Sequence, residues 1–346
     1  MDIKQDIICF SKEIGLDKVG FTTAKPFLQE KEVLLERKAK KLISPFEEQD
    51  IEIRCNPEKS LPGAKTIICF AMGYLIYPQS SLEVVSSHIE SRSRSEGKIS
   101  RYAQVKDYHV ILSEKLRHVV DFISKKRPGR FKIIVDTGSL IEKAAARRAG
   151  LGWIGENTCF FTPELGSWIF LGEILTDIEI EPDSPIESNC NGCGSCVSAC
   201  PTGALTAPFQ INPYRCLSYI TQMRGHIPEE FRKALGDRIF GCDTCQEVCP
   251  CNQKVKIPNH KEFIPDIPVE RDLEKLAILS KQDFNMIFNN IAAGWRGRNV
   301  IRRNAVCALG NLRNENTRNL LKILTKDPSE IVREQARWSL QDYLCR

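Results

Sequence analysis

The strongest constraint on this 346-residue chain is a run of cysteines, C-N-G-C-G-S-C-V-S-A-C-P, at residues 190–201. Its C-x2-C-x2-C-x3-C-P spacing is that of bacterial proteins that bind 4Fe-4S clusters, in which the fourth cysteine ligates the other of two clusters. A second run is therefore expected nearby. Residues 242–250, C-D-T-C-Q-E-V-C-P, supply it, although Ile239 stands where the first cysteine of that run should be.

Cys216, which lies between the two runs, is the candidate for the missing ligand. The first predicted cluster is held by Cys190, Cys193, Cys196 and Cys249. The second predicted cluster is held by Cys200, Cys216, Cys242 and Cys245. Eight cysteines then serve two clusters with four ligands each, which predicts electron transfer as the chemistry of this segment.

Two other uses of cysteine are alternatives. Structural zinc sites also contain C-x2-C pairs, but zinc ribbons do not require three pairs in tandem or a proline after the last cysteine. A disulfide framework fits less well, because the chain is large and its 15 cysteines are an odd number. The first residues also lack the basic and apolar regions of a signal peptide, so we expect a reducing cytoplasmic location.

The composition is that of a soluble globular protein, with 42% apolar and 27% charged residues. A chain of this length usually exceeds one hydrophobic core, which predicts two or three domains. The longest apolar stretch, residues 67–77, is about half as long as the roughly 20 residues that a membrane-spanning helix needs. No association with a membrane is expected.

The fold class that we predict is α+β with several domains. Strand patterns cover 65–72, 131–135 and 167–175, and helix patterns cover 4–14, 106–124 and 140–149. Their alternation predicts an α/β domain over residues 1–180, with a surface loop at 80–98. Residues 181–260 are expected to form a ferredoxin-like domain with two clusters, and residues 261–346 a helical region.

The last part of the chain contains three short amphipathic segments, at 299–310, 316–325 and 329–344. Ala305 and Leu309 recur as Ala336 and Leu340, a spacing that favours a short HEAT-like helical repeat.

Positive charge is concentrated in the same region. Residues 291–346 contain 11 lysines and arginines against 5 aspartates and glutamates, whereas the whole chain has 49 against 44. This asymmetry indicates a polyanionic partner, and the arginines of residues 294–304 stand beside Trp295, whose ring could stack on a base. A solvated helical face is the alternative.

With these motifs in view, the chain resembles the epoxyqueuosine reductase family of the queuosine tRNA-modification pathway. Besides the cysteine runs, the resemblance rests on R-C-N-P at 54–57, K-D-Y-H at 106–109, V-D-T-G at 135–138, R-A-G-L-G-W-I-G-E-N at 148–157, R-C-L-S-Y at 215–219, W-R-G-R at 295–298 and I-R-R-N-A at 301–305. The order and spacing of these motifs extend over nearly the whole chain. Two positions depart from the family pattern, Val105 and Glu156.

The resemblance implies reduction of the epoxide of epoxyqueuosine in tRNA to the alkene of queuosine, with loss of the oxygen as water. It implies cobalamin as a cofactor beside two 4Fe-4S clusters, and a ferredoxin or flavodoxin as electron donor to a monomeric enzyme. Asp136 matches the proton donor of the family. Its position after an apolar strand suits a catalytic group, although a turn aspartate that bonds its own backbone is the alternative.

Site residues follow from the same resemblance. Contacts to cobalamin are expected from Arg54, Ser100, Asp136, Lys143, Asn157, Phe160 and Leu171. Contacts to tRNA are expected from Arg224, Trp295, Arg296, Gly297, Arg298, Arg302 and Arg303. His109 is predicted to be structural and not a cobalt ligand, because the D-x-H-x-x-G signature of many cobalamin proteins is broken by Leu112.

Two other functions remain as alternatives. A related corrinoid iron-sulfur reductase, similar to a dehalogenase, would act on a small molecule and would not need the basic tail. A non-enzymatic iron-sulfur electron carrier would bind clusters alone and would leave Asp136 without a role.

Overall fold

The computed structural model describes residues 2–76 and 95–344. The strands in these residues are β1 (Lys18–Thr23), β2 (Thr66–Gly73), β3 (Lys98–Ile99), β4 (Phe131–Ile134), β5 (Trp153–Ile154), β6 (Phe160–Phe161), β7 (Ile169–Thr176), β8 (Leu205–Ala207), β9 (Gln210–Ile211) and β10 (Arg238–Phe240). The three predicted strands are confirmed as β2, β4 and β7. The predicted loop at 80–98 lies largely outside the described residues, and its end forms the start of β3.

The described residues form fifteen α-helices. They are α1 (Ile3–Glu13), α2 (Leu28–Ala39), α3 (Ile51–Cys55), α4 (Pro57–Ser60), α5 (Tyr108–Lys126), α6 (Glu142–Arg148), α7 (Ser195–Ser198), α8 (Leu217–Gln222), α9 (Glu229–Leu235), α10 (Thr244–Glu247), α11 (Leu273–Ala277), α12 (Lys281–Phe288), α13 (Arg298–Leu312), α14 (Arg318–Leu324) and α15 (Glu330–Leu344). All six predicted helical segments are present, as α1, α5, α6, α13, α14 and α15.

The main sheet has the order β1-β2-β7-β4, and each neighbouring pair is antiparallel. The prediction of an α/β domain is therefore wrong in its topology, although helices and strands do alternate along the chain. Periodicity identifies strands but does not give their direction, and here β7 inserts between β2 and β4. The rule that places ligands at the carboxyl edge of a parallel sheet does not apply to Asp136, which follows β4.

Each face of the sheet is covered by different elements, because successive side chains of a strand point to opposite faces. On one face, Phe70 of β2 and Ile174 of β7 pack with Leu112 and Leu116 of α5. On the other face, alternate residues of the same strands pack with the alanines of α6. Both faces of β2 are thus buried, which explains its continuous apolar sequence.

A second hydrophobic core joins the cluster segment to the tail. It contains Ile99 of β3, Phe240 of β10, Leu276 of α11 and Leu309 of α13. Strands β3 and β10 are parallel neighbours. The predicted domain limits at 180 and 260 stay predictions, and this core packs residues from all three predicted domains together.

No helix in residues 2–76 and 95–344 is long and apolar enough to span a membrane. The monomeric state stays a prediction.

Candidate functional site

The four predicted ligands of the first cluster, Cys190, Cys193, Cys196 and Cys249, line one cavity. Cys249 lies 53 residues after Cys196 in the chain, and Cys251 is a fifth thiol in the lining. Gly192 and Gly194 have φ angles of 71° and 67°, which let the loop turn its thiols inward without steric cost. Four inward cysteines fit the ligand set of a 4Fe-4S cluster.

The predicted ligands of the second cluster also lie together. Burial, and then the charges of the neighbouring Cys242 and Cys200, raise the pKa of the Cys216 thiol to about 11. The charges of Cys216 and Cys242 also raise the pKa of Cys245, after its hydrogen bond with Cys159 and burial. The Ala204 amide donates a hydrogen bond of 3.2 Å to the Cys200 sulfur. Cys216 thus lies near Cys200 and Cys242, and its role as the fourth ligand of the second cluster stays a prediction.

Sequence reasoning missed one cysteine of this region. The thiol of Cys159 is hydrogen-bonded to that of Cys245, and this contact is the largest cause of the raised pKa of Cys245. Cys159 stands alone in an apolar sequence context, so nothing in its neighbours in the chain indicated a place beside a cluster ligand.

Glu156 lies beside the first cavity. Its carboxylate accepts a hydrogen bond of 3.2 Å from the Gly194 amide and is buried in the lining. The departure from the family pattern at this position therefore places an acidic group next to Cys193 and Cys196. Burial is the largest cause of the raised pKa of Cys196, and the charge of Glu156 adds to it. The hydrogen bond with Ser195 lowers the pKa of Cys193, and Glu156 opposes this effect.

Asp136 is held by three hydrogen bonds. The Tyr108 hydroxyl donates to its Oδ2 at 2.8 Å, and the His109 Nε2 lies 3.3 Å from the same oxygen. The Asp136 amide donates to the Glu142 carboxylate at 2.7 Å. Asp136 has a φ of 51°, a left-handed conformation that is unusual for a residue other than glycine. Its side chain is 55% exposed, so the carboxylate is fixed in position and open to a ligand.

His109 links Asp136 to Asp107. Its Nδ1 lies 2.8 Å from the Asp107 carboxylate. Hydrogen bonds to Asp107 and then to Asp136 raise the pKa of His109 to about 9. Partial burial raises the pKa of Asp136. The hydrogen bonds from His109 and Tyr108 outweigh this effect and hold the pKa of Asp136 below its ordinary value. At neutral pH the pair is an imidazolium with a carboxylate.

This arrangement places His109 against the predicted proton donor, and the prediction that His109 is not a cobalt ligand stays untested. The sequence did contain a signal for it, because Asp107 caps the first turn of α5 and so sets His109 beside it. The contact with Asp136 joins residues 27 positions apart and depends on the tertiary structure.

Three of the predicted cobalamin residues connect elements around Asp136 and the second cluster. Lys143 Nζ donates to the Thr158 carbonyl at 3.0 Å. Asn157 Nδ2 donates to the Cys245 carbonyl at 3.3 Å. The Ser100 hydroxyl donates to the Asp243 carboxylate, between two predicted ligands in the chain.

The other predicted cobalamin residues are placed as follows. Arg54 is ion-paired with Glu47 at 2.9 Å, Phe160 is buried, and Leu171 packs on the same face of the sheet as α6. This face carries Asp136 and Lys143 at its edge. Lys143 lies near Asp136, and its bond to Thr158 places it next to Asn157, which binds the main chain of Cys245. Contacts of these residues to cobalamin stay a prediction.

An exposed group of aromatic and basic side chains precedes α13. Arg296 lies 4.4 Å from the Trp295 ring and 5.1 Å from the Phe46 ring, and Trp295 is 56% exposed. Trp295 Nε1 and Arg296 Nε both donate to Gln222, at 2.9 and 2.6 Å. Arg224 is exposed and near enough to lower the pKa of Arg296, after the larger effect of burial.

We call Phe46, Tyr214, Arg224, Trp295 and Arg296 the aromatic-arginine patch. Tyr214 belongs to it through its neighbour Tyr219, whose ring centroid is 5.5 Å from that of Tyr214 and 5.1 Å from that of Phe46. Phe46 and Tyr214 were missed in the sequence because they are far along the chain from the arginines.

Two of the predicted tRNA residues are wrong as surface contacts. Arg302 is buried and binds Asp327 with both terminal nitrogens. Arg303 is 0% exposed, and it donates to the carbonyls of Met223 and Gly225. Both guanidinium groups are therefore committed inside the fold and do not face a polyanion.

Arg298 and Gly297 remain at the surface end of α13. Arg298 donates to the Leu279 carbonyl at 3.2 Å. Gly297 has a φ of 84° and lies in open space, where a side chain would meet no neighbour within 4 Å but would be strained.

Two family models match the chain. Residues 54–137 match the model described as "Epoxyqueuosine reductase QueG, DUF1730", and residues 189–252 match the model of a "4Fe-4S double cluster binding domain". The second match confirms a segment of the type that binds two 4Fe-4S clusters.

Curated relatives cover most of the chain. An epoxyqueuosine reductase of Bacillus cereus is 39% identical over 98% of this chain and 88% of its own length. An epoxyqueuosine reductase of Escherichia coli is 34% identical over 75% of this chain and 68% of its own length.

Solved structures agree. A crystal structure of an epoxyqueuosine reductase with an epoxyqueuosine-modified tRNA-Tyr stem loop is 40% identical, with a TM-score of 0.92 over 99% of this chain and 90% of that chain. A Bacillus subtilis epoxyqueuosine reductase, solved with an aspartate catalytic loop swung out of the active site, is 38% identical with a TM-score of 0.91 over 99% of this chain and 90% of that one.

Proposed function

This chain belongs to the epoxyqueuosine reductase family, and we propose that it reduces the epoxide of epoxyqueuosine in tRNA to the alkene of queuosine. The reaction consumes two electrons and two protons and releases the oxygen as water. The observation that carries the proposal is the position of Asp136, whose exposed carboxylate lies beside a protonated His109. Lys143, near Asp136, bonds to Thr158, and the adjacent Asn157 bonds to Cys245 of the second group of cluster cysteines. When bound, cobalamin supplies a low-valent cobalt as the reductant and the two 4Fe-4S clusters supply its electrons one at a time.

The proton is delivered by Asp136 with His109 behind it. At neutral pH the proton resides on His109 Nε2, which lies 3.3 Å from Asp136 Oδ2. As negative charge develops on the departing epoxide oxygen, His109 gives its proton to Asp136, and Asp136 passes a proton to that oxygen, which leaves His109 neutral. Tyr108 fixes the orientation of the carboxylate by donating to the same oxygen.

The electron path follows from which cluster site faces the solvent. Cys193 of the first site is exposed, whereas Cys245 of the second site lies behind Asn157, a predicted cobalamin contact. A cluster held by Cys190, Cys193, Cys196 and Cys249 would therefore be the one that a ferredoxin or flavodoxin reaches, and a cluster held by the second group of cysteines would lie nearer to Asn157. Ser100 and Asp243 tie the chain between Cys242 and Cys245 to the same region.

The tRNA binds at the aromatic-arginine patch. Its exposed rings stack on unpaired anticodon-loop bases, and Arg224 contacts a phosphate. Phe46 of the patch is followed in the chain by Glu47, which forms an ion pair with Arg54, a predicted cobalamin contact. The patch therefore lies near one of the predicted cobalamin residues. The swung-out aspartate loop of the Bacillus subtilis relative supports a movable Asp136 segment that admits the modified base.

The decisive test is Asp136→Asn, which keeps the size of the side chain but removes its acid function. Single-turnover conversion of epoxyqueuosine in tRNA by pre-reduced protein, loaded with iron and cobalamin, should fall by about 10²- to 10⁴-fold. Iron and cobalt content should equal those of the wild type. Conversion at the wild-type rate would exclude Asp136 as the acid, and conversion of a free small molecule in preference to tRNA would favour a dehalogenase-like reductase.

A further inference from the structure

Two carboxyl groups lie close together behind Asp136. Glu173 on β7 is 0% exposed, and neither of its oxygens has a hydrogen-bond partner among the described residues. The carboxyl of Glu142 is near enough to raise the pKa of Glu173, after the larger effect of burial. A buried carboxyl without a donor is not stable as an anion, and two adjacent carboxyl groups can share a hydrogen bond only if one of them carries a proton. The pair therefore holds a proton inside the fold.

The strand register places the Glu173 side chain in the core, where packing does not require an acid. Glu173 stands opposite Cys69 of β2 and Ile134 of β4, on the face that α6 covers. A buried carboxyl in the middle of an apolar sheet is costly even when paired. An apolar residue at position 173 would fit the surrounding core, so the acid indicates a function.

Glu142 connects the pair to the proposed proton donor. It begins α6, and its carboxylate accepts the Asp136 amide at 2.7 Å. Asp136 is in a left-handed conformation, which costs energy for a residue other than glycine and persists only if the surroundings enforce it. The bond to Glu142 is one of the contacts that hold this backbone.

The electrostatic surroundings keep the pair protonated near neutral pH. Burial, and then the charge of Asp136, raise the pKa of Glu142 to about 7, against the opposing effect of Lys143. Burial and then Glu142 raise the pKa of Glu173 well above its ordinary value. The thiol of Cys69 is the titratable group that faces Glu173 from β2.

We propose that Glu142 and Glu173 form a proton-sharing pair that positions Asp136. With a proton between them, Glu142 stays under α6 and holds the Asp136 segment toward the site. When both are ionised, Glu142 moves away from Glu173 toward water, because two adjacent charges are not stable without solvent. The anchor of the Asp136 amide is then lost and the segment is released. This inference rests on the proposed function of Asp136, and it makes Glu142 and Glu173 positioning residues.

The test is amide hydrogen exchange of residues 135–141 in the cluster- and cobalamin-loaded protein, corrected for the intrinsic effect of pH. Because the pKa of Glu142 in the folded protein is raised to about 7, its hold on the Asp136 segment is strongest at low pH and is lost as pH rises through about 7. Exchange in the wild type should rise about tenfold between pH 5.5 and pH 7.5. In Glu173→Gln, whose amide donates permanently to Glu142, it should rise less than about twofold.

Glu142→Gln is the second variant, since its amide still accepts from Asp136 and donates to Glu173, and it should show the same loss of pH dependence. Glu181→Gln removes an exposed carboxyl outside the site and should behave as the wild type. A wild-type pH dependence in a folded Glu173→Gln or Glu142→Gln would overturn the proposal. Hydrogen exchange does not require turnover, so the two proposals fail separately. A fully active Asp136→Asn variant would exclude Asp136 as the acid without changing the pH dependence of exchange in residues 135–141.

Discussion

At the scale of single residues, the proposed chemistry depends on a proton shared between His109 and Asp136. Hydrogen bonds to Asp107 and Asp136 raise the pKa of His109 to about 9, from an ordinary value near 6.5. A raised pKa in the folded protein means that the stabilisation by His109 is fully present below about pH 6.5 and is lost as pH rises toward 9.

We therefore expect His109→Gln to abolish this pH dependence. The melting temperature of the variant should change less between pH 6.5 and pH 9 than that of the wild type, and single-turnover conversion should fall by about 10²-fold. His118→Gln, on the exposed side of the same helix, is the matched control. Equal pH dependence in wild type and His109→Gln would show that His109 does not carry the proton.

The two departures from the family pattern have different outcomes. Val105 does not have a positive φ and is 1% exposed in the core beside α5, so a side chain is accommodated there. Glu156 instead places a carboxyl beside the first cluster cavity. A valine in a core is recognisable from its neighbours, whereas the position of Glu156 depends on a contact with Gly194 across the fold.

At the scale of elements, Cys216 and α8 attach the second cluster to the tail. Cys216 immediately precedes α8, whose Ile220 is in the core shared with α13. Cys216→Ala should lose one of two clusters, so that iron falls from about eight to about four per chain after anaerobic reconstitution.

The matched control for Cys216→Ala is Cys9→Ala, which removes an exposed thiol of α1. It should retain all of the iron and an unchanged visible spectrum. If Cys216→Ala kept both clusters, another thiol, such as the neighbouring Cys159, would have to be the ligand.

Helix α13 uses its arginines for packing. Removing Arg302 leaves Asp327 charged and buried without its partner, and breaking such a pair typically costs about 3–5 kcal/mol. We expect Arg302→Met to lower the free energy of unfolding by that amount in denaturant titration. The tRNA affinity of the folded protein should not change, because Arg302 does not face solvent. A stable Arg302→Met protein with weakened tRNA binding would restore the original prediction of a surface contact.

At the scale of the whole molecule, the aromatic-arginine patch is assembled from three distant parts of the chain. Arg224→Gln should weaken tRNA binding and reduce the slope of log affinity against log salt by about 1, because a phosphate contact releases counterions. Trp295→Ala should weaken binding by about 1–3 kcal/mol with little change in slope, since stacking is not ionic. Binding titrations at several salt concentrations separate the two effects. Unchanged affinity in both variants would place the tRNA elsewhere.

The sequence by itself determined the chemistry and most of the elements. The spacing of the cysteines predicted a segment that binds two 4Fe-4S clusters, which the family match confirms, because ligand spacing is a local property of the chain. Cys216 as the replacement for Ile239 stays a prediction. Hydrophobic periodicity located β2, β4, β7 and the longer helices for the same reason. Motif order identified the family before any contact was known.

Only the tertiary structure decided which residues meet. It made the main sheet antiparallel, because strand direction depends on where β7 inserts and not on the period of any strand. It buried Arg302 and Arg303, which charge alone assigned to the surface, by supplying Asp327 and main-chain carbonyls as partners. It also brought Glu173 next to Glu142, which is 31 positions away in the chain. The protonation of a carboxyl depends on its neighbours and on the exclusion of water, and the fold decides both.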